Sequence, residues 1–326
     1  MSQYFMGVDL GSTTAKTVIL DGGGSVVAAR IVQMGAVSRE GLRRSVEGAL
    51  EAAGLSMPDI AYTIGTGYGR RLVPGVGRTF TEITCHARGV SAICPGVRLV
   101  IDIGGQDSKV IAVDDRGLVD DFAMNDRCAS GTGRFYEVLA RALECEMSQI
   151  GDLAMKGTRD LEVSSLCATF AETEIISLLA EGASREDIAA SVHRAVAHRV
   201  LGLVALVGVR EPIVMTGGVA NNRAAVHFLA KALDRPLQVP PDPQITGALG
   251  AALLALDTTG ARATQGDLSM LEKVEREVES AFVPANRFMP TCATCSGDLD
   301  DEKNGSLRGM PIRSSGRASL GLTKPG

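Results

Sequence analysis

Short apolar runs, each followed by a glycine-rich turn, recur along the first 250 residues of the chain. One run ends at Leu10 ahead of residues 11–14, and another ends at Ile103 ahead of residues 104–107. A second apolar segment follows each turn, so each unit is predicted to be a β-hairpin. A third such turn, residues 216–222, follows the run 212–215 and precedes a helical pattern. The pattern predicts an α/β fold.

The two hairpins are copies of one another. Residues 8–21 align without gaps on residues 101–114, and four polar or glycine positions are identical in the two copies: Asp9 and Asp102, Gly11 and Gly104, Lys16 and Lys109, Asp21 and Asp114. A duplicated fold whose halves face one ligand explains two such copies better than chance does.

Turns of this kind expose backbone N–H groups and hydroxyls that can wrap the oxygens of a phosphate chain. The acidic residue that ends each first strand could hold Mg²⁺. The sequence has no Gly-Lys dipeptide, which excludes a P-loop. A double glycine such as Gly217-Gly218 lets a backbone approach a flat ring closely. A fourth glycine-rich stretch, residues 63–70, fits a tight loop as well as a ligand site.

Composition narrows the class of protein. The chain has 326 residues, 45% of them hydrophobic, which excludes a disordered chain. A net charge of −5 argues against nucleic-acid binding, which usually needs a basic surface. We expect no membrane span, no export signal and a cytoplasmic location. Seven cysteines in a reducing compartment are either core thiols or metal ligands.

These motifs identify a family resemblance. The stretches GVDLGSTTAK, TGYGR, ITCHARG, VIDIGGQDSKV, MNDRCASGTGRF, SSLCATFAETEIIS, MTGGVANN and ITGALGAAL run collinearly over residues 6–256. They resemble the activator ATPases of 2-hydroxyacyl-CoA dehydratases, the BadF/BadG/BcrA/BcrD family. The resemblance implies the duplicated, ribonuclease H-like two-domain fold of actin, Hsp70 and sugar kinases, with ATP in the interdomain cleft.

The resemblance also implies roles for individual residues. Asp9, Asp102, Gln106 and Asp107 would be catalytic, with Asp9 and Asp102 near Mg²⁺. The ATP-binding residues would be Gly11, Ser12, Thr13, Thr14, Lys16, Gly65, Thr66, Gly104, Gly105, Gln106, Gly217, Gly218 and Gln244.

Two cysteines distinguish this family from kinases and chaperones of the same fold. Cys128 and Cys167 each precede a predicted helix, residues 135–144 and 170–179, where the helix dipole favours a thiolate. An isolated cysteine is more often a small core residue. The resemblance instead implies that the two cysteines ligate one 4Fe–4S cluster that bridges a homodimer.

The remaining cysteines and histidines receive less specific predictions. Cys85, Cys94 and Cys145 are expected to be core thiols. His86 is interpreted as positioning a loop, and His193 and His198 as part of a partly solvated helix face. No His/Cys spacing indicates zinc.

The implied function is a low-potential electron donor that uses ATP to reduce an iron–sulfur dehydratase component. Ferredoxin or flavodoxin would reduce it in turn. An ATPase subunit of a benzoyl-CoA reductase is the alternative, and a small-molecule kinase or a chaperone-like ATPase is more distant.

Three segments are predicted along the chain. Residues 1–97 form domain I, rejoined by a helix at 246–257, and residues 98–245 form domain II. Residues 258–326 form an extension with one amphipathic helix, 267–282, and disorder from residue 284. The helix could dock on the core or on a partner, and docking on the core is the simpler expectation. Cys292 and Cys295 form a C-x-x-C that could bind metal or cycle as a redox pair.

Overall fold

The computed structural model describes residues 3–35, 37–73, 75–125, 131–163, 168–259 and 265–282. The strands in these ranges are β1 Tyr4–Leu10, β2 Thr14–Asp21, β3 Val26–Gln33, β4 Ile60–Thr66, β5 Arg78–Thr79, β6 Leu99–Ile103, β7 Ser108–Val113, β8 Val119–Asn125, β9 Ile213–Thr216 and β10 Leu237–Gln238. The helices are α1 Arg39–Ala53, α2 Glu82–Ile93, α3 Gly133–Ala142, α4 Ile150–Lys156, α5 Ala168–Ala180, α6 Arg185–Val207, α7 Arg223–Leu233, α8 Thr246–Thr258 and α9 Gln265–Phe282.

The duplication predicted from the sequence is present in the strand order. Sheet A runs β3-β2-β1-β4-β5, and sheet B runs β8-β7-β6-β9-β10. In both sheets the first three strands in sequence pair antiparallel, and the fourth pairs parallel with the first. Both predicted hairpins, β1–β2 and β6–β7, are therefore confirmed.

The strands of the two hairpins are buried on both faces. β1 from Phe5 to Leu10 and all of β6 and β7 are buried, which explains their nearly continuous apolar sequences. Helices α3 to α7 contribute to one large core with sheet B, whereas α1 packs on β2 and β3 of sheet A.

Helix α8 is built for close packing. It contacts β1, β2 and β4 of sheet A and packs along α2. An added Cβ on Gly250 would lie 1.7 Å from the carbonyl oxygen of Cys85, and one on Gly89 would lie 2.0 Å from that of Thr246. The α2–α8 crossing therefore requires glycine on both helices, which explains the small residues of α8. We propose that α8 belongs to the same domain as sheet A.

This crossing gives a stability prediction. Gly250→Ala should lower the free energy of unfolding by at least about 2 kcal/mol, because its Cβ meets backbone that cannot rotate away. Urea unfolding measures the change. Gly22→Ala is the matched control, since its nearest neighbour would be the Gln3 carbonyl oxygen at 3.7 Å. Equal unfolding midpoints for the two variants would contradict the packing described here.

Helix α6 is apolar and long enough to cross a membrane by length and composition alone. More than half of its most apolar window is buried in the structure, however. Its buried side chains, such as Val196, Val200 and Leu203, belong to the core formed with sheet B. We therefore interpret α6 as a core helix.

The amphipathic helix predicted at 267–282 is present as α9, and its docking on the core is confirmed. Val274 and Val278 are buried among α2 and sheet B side chains that include Ile83, Val90 and Val119. The predicted disorder from residue 284, and Cys292 and Cys295, lie outside the described residues.

Candidate functional site

A cleft of about 560 Å³ lies where the ends of the two hairpins meet. Its lining includes these residues predicted from the sequence: Asp9, Gly11, Ser12, Thr13, Thr14, Lys16, Asp102, Gly104, Gly105, Asp107, Gly217, Gly218 and Gln244. The two hairpin turns approach each other closely, because an added Cβ on Gly105 would lie 2.5 Å from Thr13 Oγ1. Both copies of the repeat therefore face one cavity.

Each hairpin places an Asp on its first strand directly opposite a Lys on its second. The strand register pairs Asp9 with Lys16 and Asp102 with Lys109. Lys16 Nζ donates to Asp9 Oδ2 at 2.9 Å, and Lys109 Nζ lies 3.4 Å from Asp102 Oδ2. Lys109 was absent from the predicted site, although its identity with Lys16 in the repeat was the signal that could have found it.

Lys109 is the centre of a buried ionic cluster. Its ammonium contacts the carboxylates of Asp107 and Asp102, and it lies 3.5 Å from Glu82 Oε1. Burial would lower the pKa of Lys109, but the three carboxylates raise it well above its ordinary value. Burial would likewise raise the pKa of Asp102. His86, Lys109 and a hydrogen bond of 2.8 Å from Thr216 Oγ1 instead hold it below its ordinary value.

The charges of this cluster do not balance among themselves. Four buried carboxylates line the cavity, those of Asp9, Glu82, Asp102 and Asp107, against the two ammonium groups of Lys16 and Lys109. Fully ionised, they leave an excess of two negative charges. Carboxylate oxygens are the protein ligands that Mg²⁺ prefers, so the chemistry of these side chains suits a magnesium ion.

Helix α2 supplies two cavity residues that were not assigned to the site from the sequence. Glu82 is the first residue of α2, and its Oε1 is buried with no hydrogen-bond partner in the described chain. Burial raises the pKa of Glu82 to about 7, against the effect of Lys109. His86 lies one turn further along, with Nδ1 2.9 Å from Thr246 Oγ1 and 3.6 Å from Asp102 Oδ1. It lines the cavity from a helix rather than a loop.

The third glycine-rich turn closes another side of the cleft. Gly217 has φ of 85°, and an added Cβ would lie 2.3 Å from the carbonyl oxygen of Ile103. The side chain of Gln244 lies beside Gly218, 3.0 Å from where a Cβ would be. The backbone of this turn therefore packs against β6 on one side, and Gly217 and Gly218 line the cavity.

The prediction that His193 lies on a partly solvated face is wrong. The ring is buried against Tyr136 and Phe228, and burial lowers its pKa to about 4. Its Nδ1–H donates to the Ala189 carbonyl at 2.7 Å, and Nε2 accepts from Asn222 Nδ2 at 2.9 Å. Because both nitrogens are satisfied, the neutral ring tolerates burial. His198 is exposed, as expected.

Three predicted ATP contacts do not line the cavity. Gln106 is exposed at the tip of its turn. Gly65 and Thr66 are buried at the end of β4, where Thr66 is paired with Asp9 in the strand register. Instead, the residue of this stretch that lines the cleft is Tyr68. The end of β4 therefore lies beside Asp9 in sheet A and does not contribute to the cavity lining.

The predicted cluster ligands, Cys128 and Cys167, lie outside the described residues. The helices predicted to follow them are present as α3 and α5, and these two helices pack against each other. Of the other cysteines, Cys85 is buried, while Cys94 and Cys145 are half-buried against the cores. No group of His, Cys, Asp and Glu side chains with the geometry of a preformed metal site occurs in the described part of the chain.

Comparison with known proteins supports the fold and the family. Residues 6–255 match the BadF/BadG/BcrA/BcrD ATPase family. The chain is 46% identical to the activator of lactoyl-CoA dehydratase from Anaerotignum propionicum, over 78% of this chain and 98% of that protein. It is 36% identical to a component of benzoyl-CoA reductase from Thauera aromatica, over 63% of this chain and 75% of that protein.

A solved structure shows the same architecture. The activator of the 2-hydroxyisocaproyl-CoA dehydratase from Clostridium difficile, determined with bound ADPNP, matches with a TM-score of 0.75 and 44% identity. The match covers 78% of this chain and 95% of that one. The predicted two-domain α/β fold of the actin, Hsp70 and sugar kinase class is therefore confirmed, and the chain belongs to the BadF/BadG/BcrA/BcrD family of ATPases.

Proposed function

We propose that this protein is an ATP-driven electron donor that reduces a 2-hydroxyacyl-CoA dehydratase. The observation that carries the proposal is a direct connection between the nucleotide hairpin and the helix that follows Cys128. The N–H groups of Gly133 and Arg134, which begin α3, donate to the carbonyls of Gly104 and Gly105 at 2.8 Å each. Ser108 Oγ, at the start of β7, donates to the carbonyl of Gly131.

In this proposal the cleft binds ATP. The backbone and hydroxyls of Ser12, Thr13 and Thr14 bind phosphate oxygens from one side, together with Lys16. Gly104, Gly105 and Asp107 bind from the other side. Gly217, Gly218 and Gln244 border the nucleoside. Two of the turns that line the cleft carry double glycines, Gly104-Gly105 and Gly217-Gly218, and the third carries Gly11 with three hydroxyl residues, as close contact with a phosphate chain and a flat ring requires.

Mg²⁺, when bound, would neutralise charge that develops on the phosphates during hydrolysis. Asp9 and Asp102 would hold it, because they are the penultimate residues of the equivalent strands β1 and β6 and lie on the cavity wall. Lys109 favours the ionised form of Asp102, and Lys16 donates a hydrogen bond to the Asp9 carboxylate.

Cys128 and Cys167 would hold a 4Fe–4S cluster together with the same residues of a second subunit, and this cluster would supply the low-potential electron. Thiols are the donors that such a cluster needs. Residue 128 is five positions before the start of α3, and residue 167 immediately precedes α5. The packing of α3 on α5 supports a common site for the two segments.

Coupling follows from the bonds that join the hairpin to α3. When the hairpin turn closes on the triphosphate, it pulls the α3 N-terminus with it, because the two are joined by two backbone hydrogen bonds. After hydrolysis the turn is released. The segment between β8 and α3, which contains Cys128, therefore responds to the state of the nucleotide, as hinge-driven switches do.

The dehydratase is the favoured partner, and a benzoyl-CoA reductase is the alternative. The dehydratase is favoured because this chain is more similar to the dehydratase activator than to the benzoyl-CoA reductase component, and over a larger share of its length. Ferredoxin or flavodoxin would supply the electron. Neither a kinase nor a chaperone explains why two cysteines precede packed helices beside the nucleotide hairpin.

The experiment mixes anaerobically purified protein with dithionite and the dehydratase component of Anaerotignum propionicum, using lactoyl-CoA as the probe substrate. Dehydration should require ATP and should not start with ADP. Activity that is equal with ADP would contradict an ATP-driven donor. Activity only with the remaining components of a benzoyl-CoA reductase would favour the alternative.

A further inference from the structure

Helix α9 contacts the start of α2, the helix whose Glu82 and His86 line the nucleotide cleft, through the buried carboxylate of Glu275. The family match ends at residue 255, so α9, Gln265–Phe282, lies beyond it. Glu275 of this helix is 4% exposed. It accepts hydrogen bonds from Thr81 N at 2.6 Å, Thr81 Oγ1 at 3.1 Å and Thr84 Oγ1 at 2.5 Å. All three donors belong to the first turn of α2.

Burying the Glu275 carboxylate costs free energy, and the docking of α9 does not depend on a carboxylate at this position. Val274 and Val278 already bury the apolar face of α9 on α2 and sheet B. Burial raises the pKa of Glu275, because the charged form loses solvation there. Its three hydrogen bonds and the dipole at the N-terminus of α2 offset that loss. The carboxylate therefore has a specific relation to the start of α2.

The start of α2 needs this support. Thr81 is the N-cap residue, but its Oγ1 accepts from Thr84 N at a long 3.4 Å. Glu275 binds the backbone N–H of Thr81 and both threonine hydroxyls, and so fixes the turn from outside. A second contact, the ion pair of Arg78 with Glu272 at 2.8 Å, is half-exposed and contributes little.

Glu82, the residue after Thr81, faces the nucleotide cleft. Glu82 lines the cavity with an Oε1 that accepts no hydrogen bond from the described residues and lies 3.5 Å from Lys109 Nζ, and His86 lines it one turn later. A small shift of the first turn of α2 moves both side chains relative to Asp102 and Lys109. Displacements of about 1 Å in such sites can cost about 100-fold in rate.

We propose that Glu275 is a positioning residue for ATP hydrolysis: it fixes the first turn of α2 and thereby the Glu82 side chain in the nucleotide cleft. The proposal rests on the proposed use of the cleft for ATP, and not on the cluster or the dehydratase. In this proposal α9 contributes to ATP hydrolysis by positioning Glu82, in addition to packing on the core.

The test measures steady-state ATP hydrolysis by the full-length protein alone, together with nucleotide-binding stoichiometry to count active sites. Glu275→Ala should lower kcat by about tenfold and change KM for ATP less than twofold. Glu275→Gln keeps one acceptor oxygen and should restore part of the loss. Glu279→Gln, an exposed glutamate on the same helix, is the matched control and should match the wild type.

A double-mutant cycle separates positioning from loss of stability. Thr84→Val removes one donor to Glu275, so its effect on kcat should not add to that of Glu275→Ala. A merely structural role would reduce the active fraction and leave kcat per active site unchanged, which would overturn the proposal. If Glu275→Ala does not fold, kcat and the number of active sites are measured on Glu275→Gln and Thr84→Val instead, and the same criteria apply. Wild-type hydrolysis without ATP-dependent electron transfer would overturn the proposed donor function and leave this inference standing.

Discussion

Asp102→Asn is expected to lower kcat for ATP hydrolysis by about 100- to 1,000-fold, the usual cost of removing one group that stabilises charge in the transition state. Asp102 accepts from Thr216 and faces Lys109 and His86. Neutralising it removes one of the two proposed Mg²⁺ ligands and one of the three carboxylates around Lys109. The apparent Mg²⁺ affinity should fall together with kcat, which a Mg²⁺ titration of steady-state ATPase activity measures.

Two variants frame this result. Asp9→Asn, at the equivalent position of the other hairpin, should give a loss of similar size because the two carboxylates would share one ion. Asp115→Asn is the matched control, since Asp115 has a 90% exposed side chain in the same half of the molecule. A kcat for Asp102→Asn within threefold of that control would contradict the proposed magnesium site.

The combined change Cys128→Ala and Cys167→Ala should remove all iron from the protein while nucleotide binding is retained. The thiols are the proposed cluster ligands, whereas the residues that line the nucleotide cleft are unchanged. Iron is measured by colorimetric assay after anaerobic purification, and ATP affinity by equilibrium binding. ATP-dependent electron transfer should fall to background.

The control for this variant is the combined change Cys94→Ala and Cys145→Ala. Both thiols are half-buried and pack against the cores, so their loss should leave the iron content unchanged. Iron that stays stoichiometric in the Cys128 and Cys167 variant would show that the ligands are other residues.

The duplicated hairpins explain why much of the cleft could be predicted. Asp9, Lys16, Asp102 and the glycines of the turns lie in short contiguous segments, so local sequence carries both their conformation and their chemistry. The Gly217-Gly218 turn could be predicted for the same reason, since it is also a short contiguous segment.

Residues supplied by helices were harder to predict. Glu82 reaches the cavity through the tertiary placement of α2, which crosses α8 at glycine contacts and brings Glu82 Oε1 to 3.5 Å from Lys109 Nζ. The sequence predicts a partly solvated face for His193 because it shares a helix with Arg194 and Arg199. Its burial depends on Tyr136 and Phe228, which come from two other helices.

Helix α9 likewise has one feature that local sequence predicts and one that depends on distant contacts. Its apolar stripe was sufficient to predict docking, which Val274 and Val278 confirm. The partners of Glu275 could not be predicted, because Thr81 and Thr84 are nearly two hundred positions earlier in the chain and no local pattern connects them. Local sequence also does not show that Gly65 and Thr66 end a buried strand, in which Thr66 pairs with Asp9, so their role as ATP contacts stays a prediction.

The measurement that tests the central claim most directly is iron, acid-labile sulfide and native mass on one anaerobically purified sample. The proposal predicts a dimer with about four irons and four sulfides, and an EPR signal that develops on reduction with dithionite. An iron-free monomer that still hydrolyses ATP after anaerobic reconstitution with iron and sulfide would contradict the electron-donor function.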